Sequence, residues 1–174
     1  MHVAILTISD AGARGERDDR SGDAAAEWVR ALPGEVRARA LVRDDTDAIA
    51  RQLVAWCDAT DAAALVLTTG GTGLSARDVT PEATRAVIER EVPGIAERIR
   101  AVTGADFPRA ALGRGIAGVR GGTLIVNLPG STRGVQDSLA VLEPIVRHAI
   151  DILRGAVTDH GGASGAPATG AGSA

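Results

Sequence analysis

Three aspartates in this 174-residue chain each follow a short apolar run and stand beside residues suited to holding an anion. Asp10 closes the run Ile5-Leu6-Thr7-Ile8-Ser9, Asp44 heads the pair Asp44-Asp45 after Val36–Val42, and Asp78 lies within LVLTTGGTGLSARDVTPE, residues 65–82. In that last stretch Gly70, Gly71 and Gly73 permit backbone angles and close ligand approaches that a Cβ resists. Thr68, Thr69, Thr72 and Ser75 add hydroxyls beside them. A second stretch, Asn127-Leu128-Pro129-Gly130-Ser131-Thr132, sets an amide, a glycine and two hydroxyls ahead of a helix whose first N–H groups favour an anion. Carboxylates next to phosphate-binding groups repel a phosphate unless a cation intervenes, and an all-oxygen donor set favours magnesium over zinc. Structural readings compete at each place. The glycines serve equally as a tight strand-to-helix turn, Asp44, Asp45 or Thr46 as a helix cap, and Ser131 or Thr132 as another.

The familiar catalytic signatures are missing. The glycine loop at 70–78 has neither the spaced glycines of G-x-G-x-x-G nor the G-x-x-x-x-G-K-[ST] phosphate loop, and the chain contains no lysine at all. Cationic help therefore falls to arginine, histidine, a metal or a partner. Arg77 and Arg114 are candidate phosphate contacts, although surface or subunit-interface ion pairing accounts for either equally well. There is no H-E-x-x-H pair, His2, His148 and His160 lack ligand spacing, and no G-x-S-x-G elbow is present. A single cysteine, Cys57, excludes an intramolecular disulfide and a thiolate zinc cluster and reads as helix packing. Aromatics at 2% disfavour stacking platforms for single-stranded nucleic acid, and a net charge of -3 argues against broad phosphate-backbone binding. No nucleic-acid partner is expected.

The elements that must position these residues follow from apolar periodicity. Strands are predicted over Val3–Ile8, Val36–Val42, Ala63–Thr68 and Thr123–Leu128, the second nearer a sheet edge because it alternates with arginines. A loop is expected through Gly22, with a helix starting at Ser21 or Asp23 and running to about Leu32. Further helices are expected over residues 47–59, from a Thr80 cap with Pro81 at the first position to about Glu91, and over Ile95–Val102. A short helical segment follows Phe107, a small hairpin or lip spans Arg114–Gly122, and a long C-terminal helix is expected to bend near Pro144. Strand–helix alternation implies an α/β fold, doubly wound, with a mainly parallel sheet and helices on both faces. In that arrangement Asp10, Asp44, the Thr69–Asp78 loop and Asn127–Ser131 meet at one crevice.

The start MHVAILTISDAG lacks a basic leader, and no apolar run approaches the roughly 20 residues that cross a bilayer. A cytoplasmic protein without a membrane partner is expected. The domain is drawn at residues 1–156, and the Gly/Ala/Ser-rich tail at 157–174 is too poor in apolar residues to pack and is expected to be disordered.

Four of these segments carry a specific likeness. ILTISD at 5–10, RDD at 43–45, LTTGGTGLSARDVTPEA at 67–83 and LIVNLPGS at 124–131 resemble the molybdopterin-binding family of molybdenum cofactor biosynthesis, over about residues 3–154. That family includes the bacterial molybdopterin adenylyltransferases. The resemblance implies a magnesium-dependent adenylyl transfer, in which ATP and molybdopterin give adenylyl-molybdopterin and pyrophosphate. It implies a homotrimer or a pair of trimers forming a hexamer, and a handoff of product to the molybdenum-insertion enzyme. Carried onto this chain, it makes Asp44 and Asp78 the catalytic, magnesium-positioning pair. Thr69, Gly70, Gly71, Thr72, Gly73 and Ser75 then line the nucleotide and phosphate crevice; Asn127, Gly130 and Ser131 form a second wall, and Ser9 and Asp10 the first strand-end loop. The alternative is an oligomeric protein that binds molybdopterin or nucleotide with weak or no turnover, or a scaffold.

Overall fold

The computed structural model describes residues 1–155, so the domain boundary at 156 and the tail at 157–174 lie outside the described residues. In chain order its elements are β1 (His2–Ile8), α1 (Asp10–Ala13), α2 (Arg20–Ala31), β2 (Glu35–Val42), α3 (Thr46–Cys57), β3 (Leu65–Thr69) and α4 (Thr80–Val87). Then come β4 (Arg90–Glu91), α5 (Pro93–Asp106), a 3-10 turn (Pro108–Leu112), β5 (Ala117–Arg120), β6 (Thr123–Leu128) and α6 (Thr132–Leu153). The sheet order is β2-β1-β3-β6-β5-β4. Its first four strands are parallel, while β5 and β4 are antiparallel additions at the far edge. The fold is the expected doubly wound α/β architecture.

Alternation along each strand divides the core in two. On β1, Val3 and Ile5 pack with α2, α5 and α6, whereas Ala4, Leu6 and Ile8 pack with α3 and α4. The same split places Leu65 and Leu67 of β3 on the first face and Val66 on the second. Strands β3 and β6 are buried along their whole length, as parallel strands covered by helices on both sides should be. Cys57 is part of the second core, where burial pushes its thiol up to about 11; it is packing, as expected. Among the described residues no helix is long and apolar enough to cross a membrane.

Several boundaries differ from expectation, each for a local reason. α2 starts at Arg20, because the Asp19 carboxylate rather than Ser21 or Asp23 caps it, accepting from Gly22 N–H at 2.8 Å. The stretch expected as loop also holds the single turn α1, capped by Ser9. Thr80 is not the cap of α4. Val79 takes that place, and the buried Thr80 hydroxyl donates to the Gly70 carbonyl at 2.9 Å, a buried acceptor that would otherwise lack a partner. α4 stops at Val87 because Arg90–Glu91 leave it to pair with Val119 and Gly118. α5 runs from Pro93 to Asp106 rather than over Ile95–Val102, the proline's missing N–H being no loss at a first position. The 114–122 segment does form a hairpin, β5 turning into β6 at Gly121-Gly122, and α6 continues through Pro144.

Gly70 is the tightest backbone position. Its φ is +98°, and a Cβ there would lie 2.2 Å from the Ile8 carbonyl oxygen. Gly70→Ala should cost about 3 kcal/mol or more in urea denaturation. Gly121→Ala, at φ +52° with open space around it, should cost only about 1 kcal/mol. Equal costs would contradict this account of Gly70.

Candidate active site

Parallel pairing aligns four strand ends. Thr7 pairs with Thr69 and Ile8 with Val42, and Thr69 pairs in turn with Leu128, so the loops after β1, β2, β3 and β6 leave the sheet at one level. β2 lies on one side of β1 and β3 on the other, which puts the topological switch between β1 and β3. Glycines let these loops touch. A Cβ on Gly130 would sit 3.2 Å from Gly70 Cα, and the Thr69 hydroxyl ties the same two loops by donating to Pro129 O at 2.7 Å.

The three aspartates converge there. Asp10 N–H donates to Asp44 Oδ2 at 3.0 Å, and Asp44 N–H returns a bond to Asp10 Oδ1 at 3.2 Å. Arg77 closes over Asp10 with Nη2 at 2.8 Å, and this hydrogen-bonded pairing holds the Asp10 carboxyl below its ordinary range. Asp44 moves the opposite way. Burial raises its pKa, the negative charges of Asp10 and Asp78 add to the rise, and the Asp10 N–H and Arg77 oppose it. Asp78 Oδ2 accepts the Ser75 N–H at 2.9 Å, and a Cβ on Gly73 would come within 2.9 Å of that same oxygen. Asp45, not Asp44, caps α3, so Asp44 is left for the crevice.

Two clefts adjoin at this point. One, of about 540 Å³, is bordered by Leu74, Ile99, Phe107 and Leu112 and reaches the Thr72-Gly73 backbone. The other, of about 420 Å³, is more polar and is bordered by Ser9, Arg17, Asp19, Arg20, Asp44 and Gly70. Gly71, Asp78, Gly130 and Ser131 line both. Thr72, Gly73 and Asn127 border the first cleft only. Thr69, Ser75 and Asp10 border neither; they tie a loop, hold Asp78 and orient Asp44 respectively. Asn127 lines its wall with a fully engaged side chain. Its amide donates to the Thr68 and Thr84 hydroxyls at 2.9 and 3.0 Å and its oxygen accepts from Ile116 N–H, which makes it a framework residue. Ser131 caps α6, accepting from Gly134 N–H at 3.1 Å.

Sequence reasoning passed over Arg17, Asp19 and Arg20, which belonged to a stretch read as loop, and Leu74, Arg100 and Phe107. The D-D-R-S-G-D run offered a signal, a helix cap preceded and followed by charge. Nothing local marks α5 or Phe107, since only the chain's return from α5 to β5 brings them over the cleft.

Among the described residues no group of three or more histidine, cysteine, aspartate or glutamate side chains is placed to hold a metal by itself. The donor set nevertheless fits magnesium. Asp44 and Asp78 border one cleft, each has one carboxylate oxygen engaged by an N–H, and each has a second oxygen to offer. Magnesium binds through one or two carboxylates with water and substrate phosphate completing its shell. Burial raises the Asp44 pKa first and repulsion from Asp10 and Asp78 adds to it, and that repulsion is what a cation would relieve.

Residues 4–148 match the family model described as "Probable molybdopterin binding domain". The chain belongs to this molybdopterin-binding family. Within it, the chain is 35% identical over 158 residues to a molybdopterin adenylyltransferase of Helicobacter pylori, covering 89% of each. It is 37% identical over 144 residues to the Escherichia coli molybdopterin adenylyltransferase, covering 80% of this chain and 72% of that one. Among solved structures, the Thermus molybdopterin biosynthesis enzyme MoaB shares 49% identity with a TM-score of 0.84, over 88% of this chain and 96% of its own. A MogA structure shares 35% identity with a TM-score of 0.83, over 88% and 99%.

A carboxyl whose folded pKa is raised binds its proton more tightly in the folded state, so its ionisation weakens the fold as pH rises through that pKa. Asp44→Asn keeps an acceptor for the Asp10 N–H and removes the charge. It should raise the melting temperature of the ligand-free protein at neutral pH, with the gain shrinking as pH falls through the folded pKa of Asp44. A melting temperature lowered at every pH would show that the ionised carboxylate supports the fold.

Proposed function

We propose that this chain is a molybdopterin adenylyltransferase, moving AMP from ATP to the terminal phosphate of molybdopterin and releasing pyrophosphate. The observation that carries the reading is Asp78 at the shared edge of two adjoining clefts, with Asp44 across the polar one. Two substrates must meet for adenylyl transfer, and two clefts with a common wall provide for that. The resemblance of both aspartates to the family's acidic pair, and identity to proteins named adenylyltransferases, support it further.

The reaction needs no protein nucleophile. An oxygen of the pterin's phosphate attacks the α-phosphorus of ATP, the new P–O bond forms as the bond to the β-phosphate oxygen breaks, and pyrophosphate leaves. The protein's work is alignment and charge. Gly71 and Gly130 let backbone approach both clefts, while Asp44 and Asp78 would hold magnesium. Magnesium, when bound, supplies positive charge to the phosphates where the chain itself supplies acids. Of the arginines, Arg77 is paired with Asp10, whereas Arg17 and Arg20 border the polar cleft with no ion-pair partner among the described residues. We assign these two to the polyphosphate of ATP. Assembly as a homotrimer or a pair of trimers, and handoff of product to a molybdenum-insertion enzyme, belong to the same reading.

The decisive experiment incubates the purified protein with molybdopterin, ATP and magnesium and follows adenylyl-molybdopterin and pyrophosphate. Product above a no-enzyme control is expected. Binding of both substrates without product would leave a binding protein in place of an enzyme. Asp78→Asn should lower kcat about 10²-fold, equivalent to ~2.7 kcal/mol, with little change in melting temperature. Replacing Arg17 and Arg20 together with alanine should raise the dissociation constant for ATP about tenfold while leaving that for AMP nearly unchanged. Equal loss for both nucleotides would remove the arginines from the polyphosphate.

A further inference from the structure

Arg114 lies between the 3-10 turn and β5, far in sequence from the loop it holds. Its N–H donates to Thr72 O at 2.9 Å. Its guanidinium donates from Nε to Gly73 O at 2.7 Å, from Nη2 to Asp78 O at 2.6 Å, and from Nη1 to the Glu82 carboxylate in the first turn of α4. One side chain thus grips the carbonyls at both ends of the segment 73–78. Within that segment Leu74, Ser75, Ala76 and Arg77 are exposed and belong to no helix or strand. Within itself it has only Asp78 N–H to Ser75 O, Ser75 N–H to Asp78 Oδ2 and Arg77 N–H to the Ser75 hydroxyl, and apart from Arg114 its long-range tie is the exposed Arg77 side chain on Asp10. Arg100 on α5 braces the clamp from behind, donating to Gly115 O at 2.9 Å.

We propose that Arg114 is a positioning residue for adenylyl transfer. It fixes Asp78 at the shared edge of the two clefts by clamping the 73–78 segment, and it does not bind substrate phosphate. This rests on the adenylyltransferase reading above. The geometry requires arginine, because two carbonyls and a carboxylate in different directions match a planar fork of donors and not one ammonium nitrogen. With three of its nitrogens engaged, little of the guanidinium is left for an anion. Glu82 holds the fork in place, and this hydrogen-bonded pairing keeps the Glu82 carboxyl below its ordinary range.

The test compares wild type with Arg114→Ala and Arg114→Lys by amide hydrogen exchange of the ligand-free protein, ATP affinity and steady-state turnover. In Arg114→Ala, exchange in the segment 73–79 should rise about tenfold while β1 and β6 stay protected. Displacing a catalytic group by about 1 Å is enough for a loss near 10²-fold, so kcat should fall on that order with ATP affinity almost unchanged. Millimolar methylguanidinium should restore loop protection and turnover together in Arg114→Ala, and Arg114→Lys should behave like the alanine variant. A large loss of ATP affinity with unchanged loop exchange would make Arg114 a phosphate contact and overturn the proposal. So would a loosened loop with wild-type turnover. If Arg114→Ala does not fold, Glu82→Gln, which leaves Arg114 but removes its anchor, should show the same selective exchange and a smaller fall in kcat; no change in either would also overturn it. A wild-type protein without turnover sinks the adenylyl-transfer reading, whereas normal wild-type turnover with unchanged loop exchange in the variants sinks only the clamp.

Discussion

The constraint on which this site depends is electrostatic. Asp10, Asp44 and Asp78 carry like charge into one crevice, and Asp44 is half-buried, so the ligand-free protein holds a repulsion that it must contain. It does so with backbone and one arginine. The reciprocal N–H bonds between Asp10 and Asp44 join the ends of β1 and β2, and Arg77 neutralises Asp10. Asp44 and Asp78 each keep one carboxylate oxygen without a hydrogen-bond donor. Under the proposed function, relief of that repulsion by a cation is part of the binding free energy.

Close backbone approach is the second dependence, and it follows from the first. Carboxylates can meet only if the strand-end loops meet, and these are brought together at positions where side chains would collide. Gly70 against Ile8, Gly71 against Thr80 and Asp44, and Gly130 against Gly70 are such places. The polar groups exposed by this contact are then satisfied one by one. Thr80 takes the Gly70 carbonyl, Thr69 takes Pro129, and Asn127 binds Thr68, Thr84 and Ile116. Several polar residues singled out in the sequence are therefore engaged by the framework around the crevice. The division of chemistry between the clefts follows the same layout. Helix α5 and the turn after it bring Ile99, Phe107 and Leu112 to one side, while the start of α2 brings charge to the other.

Much of this was legible in the residues themselves. The buried strands β1, β3 and β6, the edge position of β2, the hairpin turn at Gly121-Gly122 and the convergence of the acidic loops all followed from periodicity, turn chemistry and the handedness of α/β units. The family was recognised by the resemblance of TTGGTG, RDVTPEA and NLPGS to its motifs, which the match over residues 4–148 bears out. Local chemistry determines these features, so a linear reading reaches them.

What only the tertiary structure decided is the employment of each polar side chain. Thr80 looked like a cap and holds a neighbouring loop instead; Asn127 looked like a ligand contact and is fully bonded within the core; Arg77 and Arg114 looked like phosphate contacts and are engaged by Asp10 and by the Gly73 and Asp78 carbonyls. Each partner lies tens of residues away from or across a loop that the sequence alone does not fold. The residue type says that a polar group must find a partner, and three-dimensional proximity says which one. The role of a hydroxyl, amide or guanidinium was therefore settled by packing, whereas the kind of fold and the kind of chemistry were already written in the order of the residues.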